Sequence, residues 1–315
     1  MTSARAISTV ADVSIALLVV AVCIGVLVTG LTGGTETHDP VEAAHTAETL
    51  GTSTVAVNYS LAPVLTATDS ERVSDPGEYE EGDLRRVSHA PALGHLARAA
   101  TLALGFETPA GRERVVPFAY ESQLDGPVQA SLVASSFETN ATAVWEPFDN
   151  ASVRGTASVG PTPPHNADTS LVRMTVPSEF PSVRAAAITA VEGDDEYGVV
   201  ADIVAAAIIE GQFPLAATQR VLEGDGPERD VAVARYLNTA DLVAGTSRAA
   251  PAVAENLDRE DADAAVLNNH LADHLATQLE AELAATFDTP TAAARAVSTG
   301  EVTVSITTWE TTNGQ

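Results

Sequence analysis

Residues 13–31 read VSIALLVVAVCIGVLVTGL, nineteen residues without a charge. As an α-helix rising 1.5 Å per residue, this stretch would extend about 28 Å, close to the hydrocarbon thickness of a bilayer. No later stretch matches it. The most apolar of them, residues 199–209, is shorter and carries Asp202. The expected fold class is therefore an α+β ectodomain with one N-terminal transmembrane helix. Arg5 and the amino terminus precede the apolar stretch, whereas His38, Asp39, Glu42 and Glu48 follow it. Positive charge is retained inside, so residues 1–12 are expected to stay cytoplasmic and the bulk of the chain to be extracellular. The expected location is the cell membrane, single-pass, with the lipid bilayer as the first partner. The alternative is a cleaved secretory signal, with residues 15–28 as its apolar region and Val28-Thr29-Gly30 as the cleavage site.

The chain has 315 residues, with 43 acidic against 16 basic side chains and a formal charge of -27. Every basic residue is arginine. So much negative charge destabilises a compact state in dilute buffer, but in molar salt the screening length falls to about 3 Å. An acidity spread along the whole chain, together with the absence of lysine, reads as adaptation to very high salt. It excludes nucleic acid as a partner, because no basic surface exists to replace phosphate counterions. The apolar content of 45% suffices for a core, and with only 4% aromatic residues that core must be built from Ala, Val, Leu and Ile. Cys23, the only cysteine, excludes an internal disulfide and an all-cysteine metal cage. It falls mid-helix, where it reads as a small apolar residue.

Arg5-Ala6-Ile7-Ser8-Thr9-Val10, just ahead of the apolar stretch, resembles the R-A-V-S-P-V start of haloarchaeal type IV pilins and pilin-like proteins, with Thr9 in place of proline and Asp12 close behind. The resemblance implies processing by a prepilin peptidase between Ala6 and Ile7. It also implies a helix that is kept as a membrane anchor or as the central stave of a filament. A second resemblance runs through Ala143-Val144-Trp145-Glu146-Pro147, Ser152-Val153-Arg154-Gly155 and Val159-Gly160-Pro161-Thr162-Pro163-Pro164. These blocks are similar to an uncharacterised haloarchaeal family of single-span, pilin-like exported proteins encoded with type IV pilus or secretion machinery. That family implies pilus or secretion-system membrane proteins as partners, and no catalytic residues.

The rest of the chain divides by pattern into a tether at 32–44, a β-rich extracellular region at 45–180, and a mainly helical region at 181–315 with a closing C-terminal strand. Alternation and β-branching predict strands over 52–61, 128–137 and 171–176, and a helix over 91–104. Residues 69–83 read as an acidic exposed loop, and Trp145 as the anchor of the β region's core. Helices are predicted over 197–210, closed by Gly211, over 227–243, and over 261–287, where Leu267, Leu271, Leu275, Leu279 and Leu283 form a stripe that must be buried. Thr289-Pro290 is a cap followed by a first-turn proline, starting a helix that ends near Gly300. Val302, Val304 and Ile306 then alternate through a final strand over 301–309.

Chemistry is sparse. His270-Leu-Ala-Asp273-His274 places two imidazoles four apart on one helix face, a spacing that can chelate a metal, with Glu280 and Glu301 as distant candidates for a third ligand. His270 and His274 are the candidate metal residues, weighed against a plain structural pair. His89 and His95 flank Pro91 and read as structural. Ser247 reads as a capping serine, and the acidic runs 192–196 and 258–263 lack the ligand spacing of a calcium loop. Three sequons, Asn58-Tyr-Ser60, Asn140-Ala-Thr142 and Asn150-Ala-Ser152, are glycosylation candidates. The first expectation is a non-enzymatic, membrane-anchored, pilin-like surface protein, an accessory or minor component of a type IV pilus-like or secretion system, with no cofactor. The alternatives are an anchored extracellular hydrolase or metal-binding protein using His270 and His274, and an extracytoplasmic ligand- or protein-binding module.

Overall fold

Val302, Val304 and Ile306 alternate with polar residues in the last strand, β8 (Glu301–Glu310), and the fold is arranged around that strand. It is sandwiched between β5 (Phe137–Trp145) and β7 (Thr169–Pro177), antiparallel to both. Beyond β5 lie β6 (Val153–Val159), β3 (Gly105–Thr108) and β4 (Gly111–Arg114), completing a six-stranded sheet of order β4-β3-β6-β5-β8-β7. A separate antiparallel pair joins β1 (Thr54–Ser60) to β2 (Arg85–Pro91). This computed structural model describes residues 41–108, 111–115, 119–132, 137–193, 196–244, 249–259 and 261–310. The apolar stretch 13–31, Cys23, the processing residues Ala6 and Ile7, and Ser247 lie outside the described residues. Among the described residues, no single helix is long and apolar enough to cross a membrane.

One face of the large sheet is buried through Ala141, Ala143, Trp145, Val153, Ala157, Val302, Val304 and Ile306. Helix α4 (Ala92–Leu102) crosses that face, and α1 (Val41–Thr52) lies beside it against β7 and β8. The approach of α4 to β6 is closer than a side chain allows. A Cβ on Gly155 would stand 1.9 Å from the carbonyl oxygen of Ala100, so glycine is required there. α1 begins within the stretch read as a tether, and it buries Ala43, Ala47 and Leu50 at helical spacing.

The second half supplies helices α6 (Arg184–Val191), α7 (Tyr197–Gln212), α8 (Leu215–Leu222), α9 (Pro227–Ala244), α10 (Ala249–Leu257), α11 (Ala264–Thr286) and α12 (Pro290–Ala296). In α11 all five leucines of the stripe are fully buried, and the helix packs chiefly on α7. Its start is fixed by Asp263, whose carboxylate accepts the N–H groups of Ala265 and Val266. Thr289 caps α12 through the N–H of Ala292, with Pro290 in the first turn. Buried residues of the sheet and of the helices form one continuous hydrophobic cluster, so both halves share a core. Helix makes up 53% and strand 22% of what is described, a mixed α+β fold.

Three further local expectations change. Residues 125–131 form helix α5 (Asp125–Ser131) instead of the start of a strand over 128–137. Leu124, Val128 and Leu132 are buried four apart, and the short apolar run fits either period until packing decides. Gly211 does not close α7, which runs on to Gln212; a Cβ there would meet the ring of Phe180. Lastly, the acidic segment 69–83, between α2 (Ala62–Thr66) and β2, is exposed over most of its length as its composition implies, but it is docked as a strap instead of hanging free, and its end runs into α3 (Glu81–Leu84). The buried Asp230 of α9 accepts hydrogen bonds from the Ser74 N–H and the Tyr79 hydroxyl, both at 2.8 Å. Arg72 holds Asp258 in a two-pronged ion pair at 2.6 and 2.7 Å, and Arg86 pairs with Glu228.

Candidate functional site

His270 and His274 sit on successive turns of α11, both half-buried at the flank of the leucine stripe. The two carboxylates considered as further ligands are engaged elsewhere. Glu280 packs beside Gly198 at the start of α7, and Glu301 pairs with Arg184 at 3.4 Å. Among the described residues, no group of three or more His, Cys, Asp or Glu side chains is arranged to hold a metal ion. From the acidic run 258–263, Asp258 is tied to Arg72, which holds its carboxyl below the usual range, and Asp263 caps α11.

His95, read from the sequence as structural, is the centre of a buried polar cluster whose partners sequence reasoning missed. This imidazole is fully buried on α4, with Nε2 3.0 Å from the Val55 carbonyl oxygen and Nδ1 2.5 Å from the Tyr120 hydroxyl. A carbonyl can only accept, so Nε2 carries the proton and donates, and Nδ1 accepts from Tyr120. Burial holds the imidazole below its ordinary pKa and raises that of the Tyr120 phenol. The Tyr59 ring stands edge-on to Tyr120 at 5.0 Å, so the node pins the β1–β2 pair to α4. It is sealed from solvent, and its chemistry is that of a neutral donor–acceptor relay holding two layers together. Neither spacing nor motif marks it, since the partners come from three separate elements.

A second polar arrangement is the outer face of the large sheet. Across four strands the register sets out regular rows. Thr175, Thr303, Val144 and Thr156 form one; Arg173, Ser305, Thr142 and Ser158 form the next. Leu171, Thr307 and Asn140 form a third, with Leu171 49% exposed. The helices that pack most extensively on the sheet, α1 and α4, lie on its opposite, buried side. In a chain of -27 this face is hydroxyl-rich, with an exposed arginine, Arg173, on its edge strand.

Asn140, one of the three sequon asparagines, belongs to this face and is half-buried. Its amide nitrogen lies 3.3–3.4 Å from the Ser158 hydroxyl and the carbonyls of Val159 and Gly160, and Thr142 donates to its amide oxygen at 3.2 Å. Asn58 is exposed on β1, opposite Val87. Asn150 is exposed in a tight turn with φ +64°, a conformation asparagine tolerates better than most residues. Ser152 of its sequon is bound through backbone and hydroxyl to Glu282 on α11. Glu146, just past the end of β5, has its carboxyl pushed up by burial and by the neighbouring Asp149.

Compared with known families, residues 11–309 match a family model described as a family of unknown function (DUF7284). Neither the curated proteins nor the solved structures give a match.

Proposed function

We propose that this chain, which belongs to the DUF7284 family of unknown function, is a non-enzymatic, membrane-anchored, pilin-like surface protein of a halophilic archaeon, an accessory or minor component of a type IV pilus-like or secretion system. The observation that carries this reading is the uncharged stretch 13–31 placed ahead of a folded α+β body. Nine residues, 32–40, separate it from α1. Because α1 lies on the sheet against β7 and β8, load on the leading segment would be passed into the core. The net charge of -27 suits a body facing concentrated brine, where repulsion between carboxylates is screened. A length of 315 residues is large for a repeating major subunit, which favours an accessory role.

Mass spectrometry of the N-terminus of protein isolated from membranes tests the proposal. A mature start at or near Ile7 is expected. A start near Leu31 would make the protein a secreted one and sink the reading, whereas an intact Met1 would leave a simple anchor and remove the pilin-like part.

A further inference from the structure

The two ends of the large sheet are treated differently by the sequence. At one end β4 is only four residues long, Gly-Arg-Glu-Arg, and three of them are charged. Where β6 runs past β3, its free backbone is capped by carboxylates. Glu121 Oε1 lies 3.3 Å from the Ser158 N–H and Asp125 Oδ1 2.7 Å from the Gly160 N–H. Short, charged or covered edges are how sheets avoid pairing with other strands. The opposite end is β7, nine residues long, with no carboxylate, in a chain that holds 43.

The register identifies which backbone groups of β7 are offered outward. The Ser178 N–H donates to the Gly300 carbonyl at 3.1 Å, continuing the alignment in which Pro177 faces Glu301. Bonded and non-bonded pairs alternate along an antiparallel ladder. Even-numbered residues of β7 therefore bond to β8, and Thr169, Leu171, Arg173 and Thr175 turn their N–H and C=O groups away from it. Pro177 falls in the outward set, where its missing N–H costs the ladder nothing. Among the described residues, no strand pairs on that side.

We propose that the outward edge of β7 pairs antiparallel with the same edge of a second copy of this chain, continuing the sheet across a two-fold axis. Two bodies of charge -27 repel wherever their carboxylates meet, and residues 169–177 bring none to the seam, Asp168 and Glu179 lying just outside them. A contact of a surface with itself closes as a symmetric dimer. With the axis at Val172, each outward residue faces another outward residue, and Arg173 lies opposite the partner's Leu171. That register avoids setting two arginines face to face, and the arginine stem covers a leucine that is 49% exposed in the single copy. The pairing requires neither the anchor nor the pilin-like reading.

The test is the mass of the full-length protein in detergent and molar salt, measured by light scattering and combined with hydrogen exchange over 169–177. The wild type is expected to be a dimer whose β7 amides exchange slowly. Leu171→Pro removes an outward N–H and leaves the β7–β8 ladder intact, so it should halve the mass and release the protection without changing the circular dichroism. Should the proline variant fail to fold, Leu171→Asp places a carboxylate at the edge and should give the same monomer. A monomeric wild type overturns the proposal. So does a dimer that survives the substitution at Leu171, since the contact would then lie elsewhere.

Discussion

Gly211 of α7 lies directly against the ring of Phe180: a Cβ on the glycine would stand 2.4 Å from both Cγ and Cδ1 of the phenylalanine. Phe180 in turn packs edge-on to Trp145, with ring centres 4.9 Å apart. The Trp145 indole donates to the Thr299 carbonyl at 2.8 Å, and the Ser178 hydroxyl donates to the same oxygen at 2.7 Å. This relay runs from α7 through β5 to the turn before β8, and it joins the helical half of the core to the sheet.

Gly211→Ala should therefore destabilise the protein, although alanine is the better helix former by roughly 0.5–1 kcal/mol. The clash falls on the root of the ring, and overpacking of this kind costs about 1–3 kcal/mol. A net loss of about 1–2 kcal/mol is expected, read as a lower denaturation midpoint in molar salt. Unchanged or raised stability would show that Phe180 can move aside freely.

A second expectation concerns pH. His95 has its pKa lowered by burial below the ordinary 6.5, so between the lowered value and 6.5 the unfolded chain binds the proton and the folded one does not. Stability then rises with pH across that window and is lost as pH falls below 6.5. Glu146, whose pKa is raised, acts in the opposite sense nearer the carboxylate range. The difference between wild type and His95→Gln isolates the imidazole. In molar salt the melting temperature of the wild type should fall more steeply below pH 6.5 than that of the variant. Parallel curves would mean that His95 takes up its proton in the folded state without penalty.

The strap at 69–83 allows a comparison between a buried and an exposed contact. Asp230→Ala strips the Ser74 N–H and the Tyr79 hydroxyl of their shared acceptor and should cost about 1–3 kcal/mol. Arg72→Ala breaks a well-formed but exposed ion pair and should change stability little. Limited proteolysis should cut within 69–83 much faster in the Asp230 variant than in the Arg72 variant, and equal rates would contradict this ranking.

Glycopeptide mapping of protein taken from membranes should find modification at Asn58 and Asn150, which are exposed, and none at Asn140. The Asn140 amide is engaged by three acceptors on β6 and the turn that follows it. A glycan on Asn140 with bare Asn150 would reverse the order that accessibility sets.

Much of the fold can be read directly from the sequence where one period dominates. The five leucines of α11, the Thr289-Pro290 start and the alternation of β8 each carry a local signature strong enough to survive packing. Residues 128–131 fit two periods, and only the burial of Leu124, Val128 and Leu132 together selects the helix. The docking of 69–83 onto Asp230 and Asp258 joins residues more than 150 positions apart, for which no local pattern exists. The same holds for the candidate site. The identities of Asn140 and Arg173 are plain in the sequence, but their common face is not, because β5 and β7 become neighbours of neighbours only when β8 inserts between them.

That insertion also dictates when the body can mature. The strand that joins β7 to the rest of the sheet, 301–310, follows every other described element in chain order. Until they arrive, β5 and β7 have no common partner and both present bare, sticky flanks. A chain delivered N-terminus first must therefore be kept from premature association until 301–310 have been added, and a chain broken off ahead of residue 301 would hold the sheet in two unconnected pieces.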